Sequence, residues 1–524
     1  MPTDPISAVI AANDALPNAD APVATAVPAF IGYTPRADLH GVSCICMPVR
    51  IRSFEEFAAY FLLPSAPAPA DPVRQYRPQY YLVSQTSVPA VGASLRIGGT
   101  VYAVLPDPAT LHHLYNSVRL FYLNGGGEAW IVSVGVYGPA SGKPLTAPDA
   151  PTINPNIVLA DLLRGLERLK QVQEPTLYLC PDAILLSAQD NATLMQAMLA
   201  QAQAMRTAVC LFDVINADRP TPDRYPQDIA AFRSATGDTG LDFGIAYYPF
   251  IGTSLMNDEL DFRNLFGGDL EPLAALIDPP AHRPSAETMR LDEIREALRS
   301  GRPVESTADA ALRSISPIYA EILRQVQSLA GLLPPSGAMA GVYATNDAEA
   351  GVWQAPANVG IVGADSLPIE LTDSQQAPLN VDAITGKSIN AIRFFNGQGI
   401  LVWGARTLDG NSEDWRYLAV RRAAIFLEQS MKRIACAHAF SPNDANTWSA
   451  VQAAIVAFLT EVWKRGGLQG ATPADAFRVT VGLGETMTSD DLLDGVMRVT
   501  ALVALTHPAE FIVITFEQQT TATG

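Results

Sequence analysis

Apolar residues along the chain follow two different rhythms. Short apolar runs bounded by turn residues mark buried strands, and stretches with an apolar residue every third or fourth position mark helices packed on one face. The first pattern predicts strands over 29–33, 80–84, 94–105, 129–134, 177–180, 208–214 and 241–248. The second predicts helices over 111–123, 158–173, 191–206, 318–329 and 418–434. Ser53, with Glu55 and Glu56 behind it, is an N-cap signal for a helix over 53–63. Trp448, Val451, Ile455, Phe458, Val462 and Trp463 keep helical spacing, and Lys464, Arg465 and Gly466-Gly467 supply the charge and cap expected at a helix C-terminus. Strand candidates at 477–482, 496–505 and 511–516 close the chain. Alternating helices and strands between 129 and 248 argue for an α/β domain.

The interruptions set the organisation. Residues 1–28, rich in Ala, Pro, Asn and Asp, read as an extended arm with no core of its own. The proline-rich stretches 64–72 and 272–303 read as a surface loop and an exposed insertion.

Composition narrows the class. Of 524 residues, 48% are hydrophobic and 17% charged, which builds several cores and excludes a mainly disordered chain. The 35 basic and 53 acidic side chains leave a net charge of −18, which repels phosphate backbones and predicts no nucleic-acid partner. The first 30 residues contain no Lys or Arg and no long apolar core, so no secretory signal is expected. The apolar stretch 497–516 is broken by Arg498, His507, Pro508 and Glu510, so no membrane insertion is expected either. Five cysteines form an odd, sparse set that fits a reducing compartment of synthesis.

The search for chemistry returns little. Thr385-Gly386-Lys387-Ser388 resembles the end of a phosphate-binding loop, but Val381 stands where its first glycine belongs, and an ordinary loop is the better reading. Asn124 to Gly127 lacks the spacing of a dinucleotide fingerprint and reads as a tight turn. No HExxH pair or GxSxG elbow occurs, and Cys44-x-Cys46 has no second ligand pair, so both thiols read as buried. No catalytic residue, cofactor or metal ligand is predicted. The alternative class is an α/β hydrolase-like enzyme whose triad is dispersed in sequence.

An ordered set of motifs in the last third is more telling. It runs through Pro335-Ser336-Gly337-Ala338-Met339-Ala340-Gly341-Val342-Tyr343-Ala344-Thr345-Asn346-Asp347, Gly351-Val352-Trp353-Gln354-Ala355-Pro356, Asn390-Ala391-Ile392-Arg393 and Val402-Trp403-Gly404-Ala405-Arg406. It continues with Trp415-Arg416-Tyr417-Leu418-Ala419-Val420-Arg421-Arg422, Gly466-Gly467-Leu468-Gln469-Gly470 and Pro508-Ala509-Glu510-Phe511-Ile512. Together with weaker matches upstream, among them Ala29-Phe30-Ile31-Gly32, this series resembles the contractile tail sheath family of phages, tailocins and extracellular injection systems. The family's PGVY-type opening is absent, and Glu349-Ala350 precedes Gly351 where many members carry an Arg.

The resemblance implies a mixed α/β, multi-domain fold. Its parts would be an arm (1–28), a strand with a small outer β-rich insertion (29–135), a middle α/β domain (136–335), an inner assembly domain (336–508) and a terminal strand with arm (509–524). The outer α/β region would be subtilisin-like without the triad. The inner domain's sheet would be completed by strands of neighbouring subunits. Phe511, Ile512, Val513, Ile514, Thr515 and Phe516, apolar on both alternating faces, are the expected intersubunit strand. Arg421, Arg422, Lys464 and Arg465 are candidate contacts to the tube or to a neighbour; a solvated surface is their default place. The implied partners are copies of the chain, an inner tube protein, and baseplate and cap or terminator proteins. A sheath-related cap, terminator or baseplate component is the second alternative. Assembly in the bacterial cytoplasm and a mature place in a virion tail or released particle are implied as well.

Overall fold

The computed structural model describes residues 22–39, 41–64, 75–279, 283–302, 304 and 306–508. The chain divides into a larger unit, 25–422 with 507–524, and a smaller one, 1–24 with 423–506.

The larger unit is built on a nine-stranded sheet. Six of its strands are parallel: β1 (Pro28–Thr34), β2 (Ala129–Val136), β3 (Leu177–Leu179), β4 (Val209–Asp213), β5 (Gly244–Tyr248) and β6 (Asn390–Phe395). They lie in the order β2-β1-β3-β4-β5-β6, an open doubly wound arrangement. Antiparallel strands flank this core, Val49–Ile51 beside β2 and Gly399–Trp403 beside β6, with Val359–Gly360 outermost. Every residue of β1 is buried because helices cover the sheet on both faces. Phe30 packs edge-on against Phe121 of α1 (Leu114–Leu123), with ring centroids 5.8 Å apart. The next residue, Ile31, points the other way, to Gly165 of helix Leu159–Arg168.

Several expectations are revised. The single strand expected over 94–105 is a hairpin, Ser94–Ile97 and Thr100–Pro106, turning on Gly98 and Gly99 with φ of +54° and +89°. The supposed exposed insertion at 272–303 contains most of helix Leu270–Ile277 and all of helix Ala286–Arg299, which bury Leu273, Ala274, Ile277, Leu291 and Ile294. The expected domain boundaries at 135/136 and 335/336 do not divide the sheet, which takes strands from both sides of each.

In the smaller unit, α3 (Leu418–Cys436, from Ala423 onward) and α4 (Ala445–Lys464) accompany an antiparallel pair, β7 (Phe477–Thr480) and β8 (Thr500–Val503). Asp444 caps α4 by accepting from the N–H groups of Asn446 and Thr447, both at 3.0 Å. Val451, Ile455, Leu459 and Val462, spaced at three and four residues, form its buried stripe. Gly466, at φ +83°, follows the helix end. Among the described residues, no helix is long and apolar enough to cross a membrane.

Candidate functional site: the anchored chain crossings

Open doubly wound sheets hold ligands outside the carboxyl ends of their strands, where the strand order reverses. Here that point lies between β1 and β3, and Asp182 fills it. Its Oδ1 accepts from the N–H groups of His113 (2.6 Å) and Leu114 (3.3 Å) at the start of α1, and Oδ2 from the N–H of Tyr33 (3.0 Å). A Cβ at Gly32 would lie 2.7 Å from Oδ2, so only glycine admits this carboxylate. Burial pushes the Asp182 carboxyl up to about 6. The helix terminus that would greet a phosphate is thus satisfied from within the chain.

The phosphate-loop look-alike is equally committed. Lys387 is buried, and its Nζ donates to the carbonyls of Arg233 (2.7 Å) and Gly237 (2.6 Å), while Ser388 Oγ donates to that of Asn380 (2.5 Å). The ammonium ties a loop to helix Tyr225–Ala235. His112 stacks on Tyr137 at 3.9 Å, and His113 meets Phe250 edge-on. Cys44 is buried, as expected; Cys46, expected buried too, is partly exposed. Among the described residues, no cluster of His, Cys, Asp and Glu is arranged to hold a metal.

The glycine-rich motif at 335–347 forms α2 (Ser336–Ala350). Ser336 opens it by donating from N (3.0 Å) and Oγ (2.6 Å) to Asp213 at the end of β4, whose carboxyl burial pushes up to about 7. A Cβ at Gly337 would meet the Ser117 carbonyl at 2.4 Å, and one at Gly341 the Phe121 carbonyl at 2.4 Å. The two glycines, one turn apart, let the backbones of α1 and α2 touch.

The same helix supplies Asp347, which pairs with Arg422 inside the larger unit. Arg421 beside it pairs with Asp242 and stacks over Trp415, its guanidinium carbon 3.6 Å from the ring centroid. Both arginines, expected as solvated or tube-facing charges, are buried at 4% exposure. The correction has a simple cause: their carboxylate partners lie 179 and 75 residues earlier, where no local pattern announces them.

The chain passes between the two units at 24/25, 422/423 and 506/507. Within the larger unit each crossing is held by residues 417–422. Arg422 Nη2 donates to the Thr25 carbonyl at 3.3 Å, and the His507 ring lies edge-on to Tyr417 at 6.4 Å. Arg422 also sits over Tyr343, whose hydroxyl is 2.6 Å from that of Tyr247 on β5. The anchor is thereby tied to the centre of the sheet.

Lys464 and Arg465 lie exposed at the end of α4, and Lys464 Nζ pairs with Glu461 at 2.8 Å. Phe511 to Phe516 fall outside the described residues. Among those described, β7 and β8 each have one strand neighbour.

A large doubly wound sheet whose switch point is filled by Asp182 defines the larger unit as an α/β fold. A family profile described as the phage tail sheath protein central domain matches residues 303–408, and one described as the phage tail sheath C-terminal domain matches 411–519. The tail sheath protein of Vibrio phage KVP40 is 28% identical over 139 residues, 26% of this chain; the match spans about a fifth of that relative's length, 20%. Among solved structures, the anti-feeding prophage baseplate in the contracted state aligns with TM-score 0.58 and 22% identity, covering 98% of this chain and 99% of that one. The PVC sheath complex of an extracellular contractile injection system, also contracted, aligns with TM-score 0.57 and 22% identity over 99% of each chain. Residues 303–519 of this chain therefore match the central and C-terminal domains of the phage tail sheath protein.

Proposed function

We propose that the chain is the structural sheath subunit of a contractile tail or injection apparatus, polymerising helically around an inner tube and shortening to drive that tube through a target envelope. The observation that carries the reading is the pair of profile matches, which run from 303 to 519 with a gap of two residues. The shared fold with sheath and baseplate chains over nearly the whole length supports it. The working parts would be the smaller unit for assembly and the larger unit as the outer body. The β7–β8 pair would be extended by strands from neighbouring subunits, Phe511 to Phe516 being the donor. A head-to-tail contact repeated with a non-closing rotation gives a helical tube, and two packings of that lattice give extended and contracted states. No catalysis, cofactor or nucleotide is required, and Asp182 and Lys387 engaged within the chain favour that view. The expected partners are copies of itself, a tube protein, and baseplate and cap proteins, in a particle assembled in the bacterial cytoplasm.

Negative-stain microscopy of the purified full-length protein tests this. Striated tubes are expected. Soluble monomers at all concentrations and salt conditions, with or without a tube protein, would overturn it. Labelling confined to one end of isolated particles would identify a cap or baseplate component instead.

A further inference from the structure

Two Asn-Gly pairs occur in the chain, Asn124-Gly125 and Asn396-Gly397. Such a pair is chemically labile, because the glycine nitrogen can attack the asparagine side-chain amide and no β-carbon on the glycine stands in the way. Reaction requires both groups to be free and the backbone between them to rotate. The fold treats the two pairs in opposite ways.

Asn124 ends α1, is buried, and has its amide committed. Nδ2 donates to the carbonyls of Leu120 (2.9 Å) and Val362 (3.1 Å), and Oδ1 accepts from the Val362 N–H at 2.8 Å. The attacking group is committed as well: Gly125 N–H donates to the Tyr122 carbonyl at 3.2 Å. Thr345 Oγ1 of α2 donates to the Asn124 carbonyl at 2.9 Å and fixes the peptide plane between them. Ring closure here needs at least local unfolding of the α1–α2 contact.

Asn396-Gly397 stands in the hairpin between β6 and the strand Gly399–Trp403, with Phe395 paired to Gly399 below it. Both residues are exposed. Gly397 has φ of +79°, and no atom lies within 4 Å of where its Cβ would be. Among the described residues, neither the Asn396 amide nor the Gly397 N–H has a hydrogen-bond partner; the turn is closed by Gln398 N–H donating to the Phe395 carbonyl at 3.0 Å. A single exposed hydrogen bond at a hairpin tip opens readily, which frees the rotation that the attack needs.

We propose that Asn396 is a site of spontaneous self-modification in the folded protein, and that Asn124 is not. The Gly397 nitrogen, its proton taken by solvent base, bonds to Asn396 Cγ. The Cγ–Nδ2 bond breaks, Nδ2 leaves as ammonia, and a five-membered cyclic imide remains. Water then opens the imide at either carbonyl, giving aspartate or, with the chain rerouted through the side chain, isoaspartate. Each conversion makes the chain one charge more negative beside Phe394, which is 46% exposed. The isoaspartate form also adds a methylene to the backbone of the turn.

The test incubates folded full-length protein at neutral and mildly alkaline pH, digests it in mild acid, and follows both peptides by mass spectrometry. The peptide holding Asn396 should gain the mass of an amide-to-acid exchange and split into two chromatographic forms, faster at the higher pH. Its conversion should run at least tenfold ahead of that at Asn124. In concentrated urea the two should convert at similar rates, which shows that the difference belongs to the fold. Asn396→Gln, whose ring would have six members and close slowly, should stay intact. An Asn396 amide that persists in the folded protein while urea releases it, or equal rates at both pairs without urea, would overturn the proposal. So would conversion of Asn396 that does not accelerate with pH.

Discussion

Arg422 and Asp347 meet as a two-pronged ion pair, Nη1 to Oδ1 at 3.0 Å and Nη2 to Oδ2 at 2.5 Å, with both side chains 5% exposed or less. Removing one partner of such a pair strands the other charge in a dry site, at a cost of about 3–5 kcal/mol. Arg422→Met should therefore lower the unfolding free energy of the larger unit by that order, read as a fall in denaturant midpoint. Arg422→Met combined with Asp347→Leu should recover most of the loss, because neither charge is then buried alone. Recovery of stability without recovery of tube formation would separate the anchor's mechanical role at Thr25 from its contribution to folding.

Lys387 gives a second expectation. Its two carbonyl contacts are charge-assisted and buried, so Lys387→Met should cost about 1–3 kcal/mol. Nucleotide addition should change neither the stability nor the assembly of the wild-type protein. Stabilisation by ATP in thermal unfolding, lost in Lys387→Met, would contradict the structural reading of this loop.

Acid sensitivity follows from two opposed pairs. Burial lowers His112 to about 3 and His113 to about 4, with the His113 charge adding to the effect on His112. An unfolded histidine titrates near 6.5, so their stabilising contribution is complete above that pH and is lost as pH falls from 6.5 toward 4 and below. Asp182 and Asp213, raised by burial to about 6 and 7, act in the other direction: their contribution is present below about pH 4 and is lost as pH rises toward 6 or 7. His112→Phe removes one histidine term. Relative to wild type it should gain up to about 1.4 kcal/mol per pH unit as pH falls from 6 to 4. A pH-independent difference between the two proteins would show that His112 is not buried neutral.

What sequence could and could not announce divides along physical lines. Strands such as Ala29 to Tyr33 and helices such as Trp448 to Trp463 were legible because burial there obeys a local period. The helix Ser336–Ala350 was read as a motif and not as a helix, since its glycines and buried polar residues blur the apolar stripe. Their purpose, close approach to α1, exists only once both helices are in place. The strands Asn390–Phe395 and Gly399–Trp403 were likewise seen only as motif fragments. The roles of Asp182, Asp242 and Asp347 depend on partners 68 to 179 residues away, and no spacing rule reaches that far. Arg421 and Arg422, which the sequence offers as possible contacts to the tube or to a neighbour, turn inward for the same reason: their carboxylate partners lie 179 and 75 residues earlier.

Lys464 and Arg465 test the tube contact. They place two cations at the exposed end of α4, offset in part by Glu461. Charge at an interface rim acts mainly on association rate and on salt dependence. The double change Lys464→Glu, Arg465→Glu should weaken co-sedimentation with the tube protein and flatten its dependence on salt, while circular dichroism stays that of wild type. Unchanged co-assembly at low salt would place the tube surface elsewhere.

The terminal segment carries the strongest expectation about assembly. The pair β7–β8 presents an inner face, with Phe477 opposite Val503 and Val479 opposite Ala501, and each strand has one neighbour among the described residues. A two-stranded sheet is marginal by itself and gains most from further ladders. Phe511 to Phe516 has the length and the two-sided apolar character of such an added strand. Linkage through a hydrogen-bonded ladder also lets subunits rearrange without separating, which packing contacts alone would not ensure. Ile514→Asp would place a charge in that ladder, and deletion of Phe511 to Gly524 would remove it. Both should abolish tubes in negative stain while leaving folded monomers. Ile514→Val, which keeps β-propensity and apolar character, should assemble normally. Normal tubes from the truncated chain would end the case for strand sharing at this terminus and leave residues 1–28 as the connector.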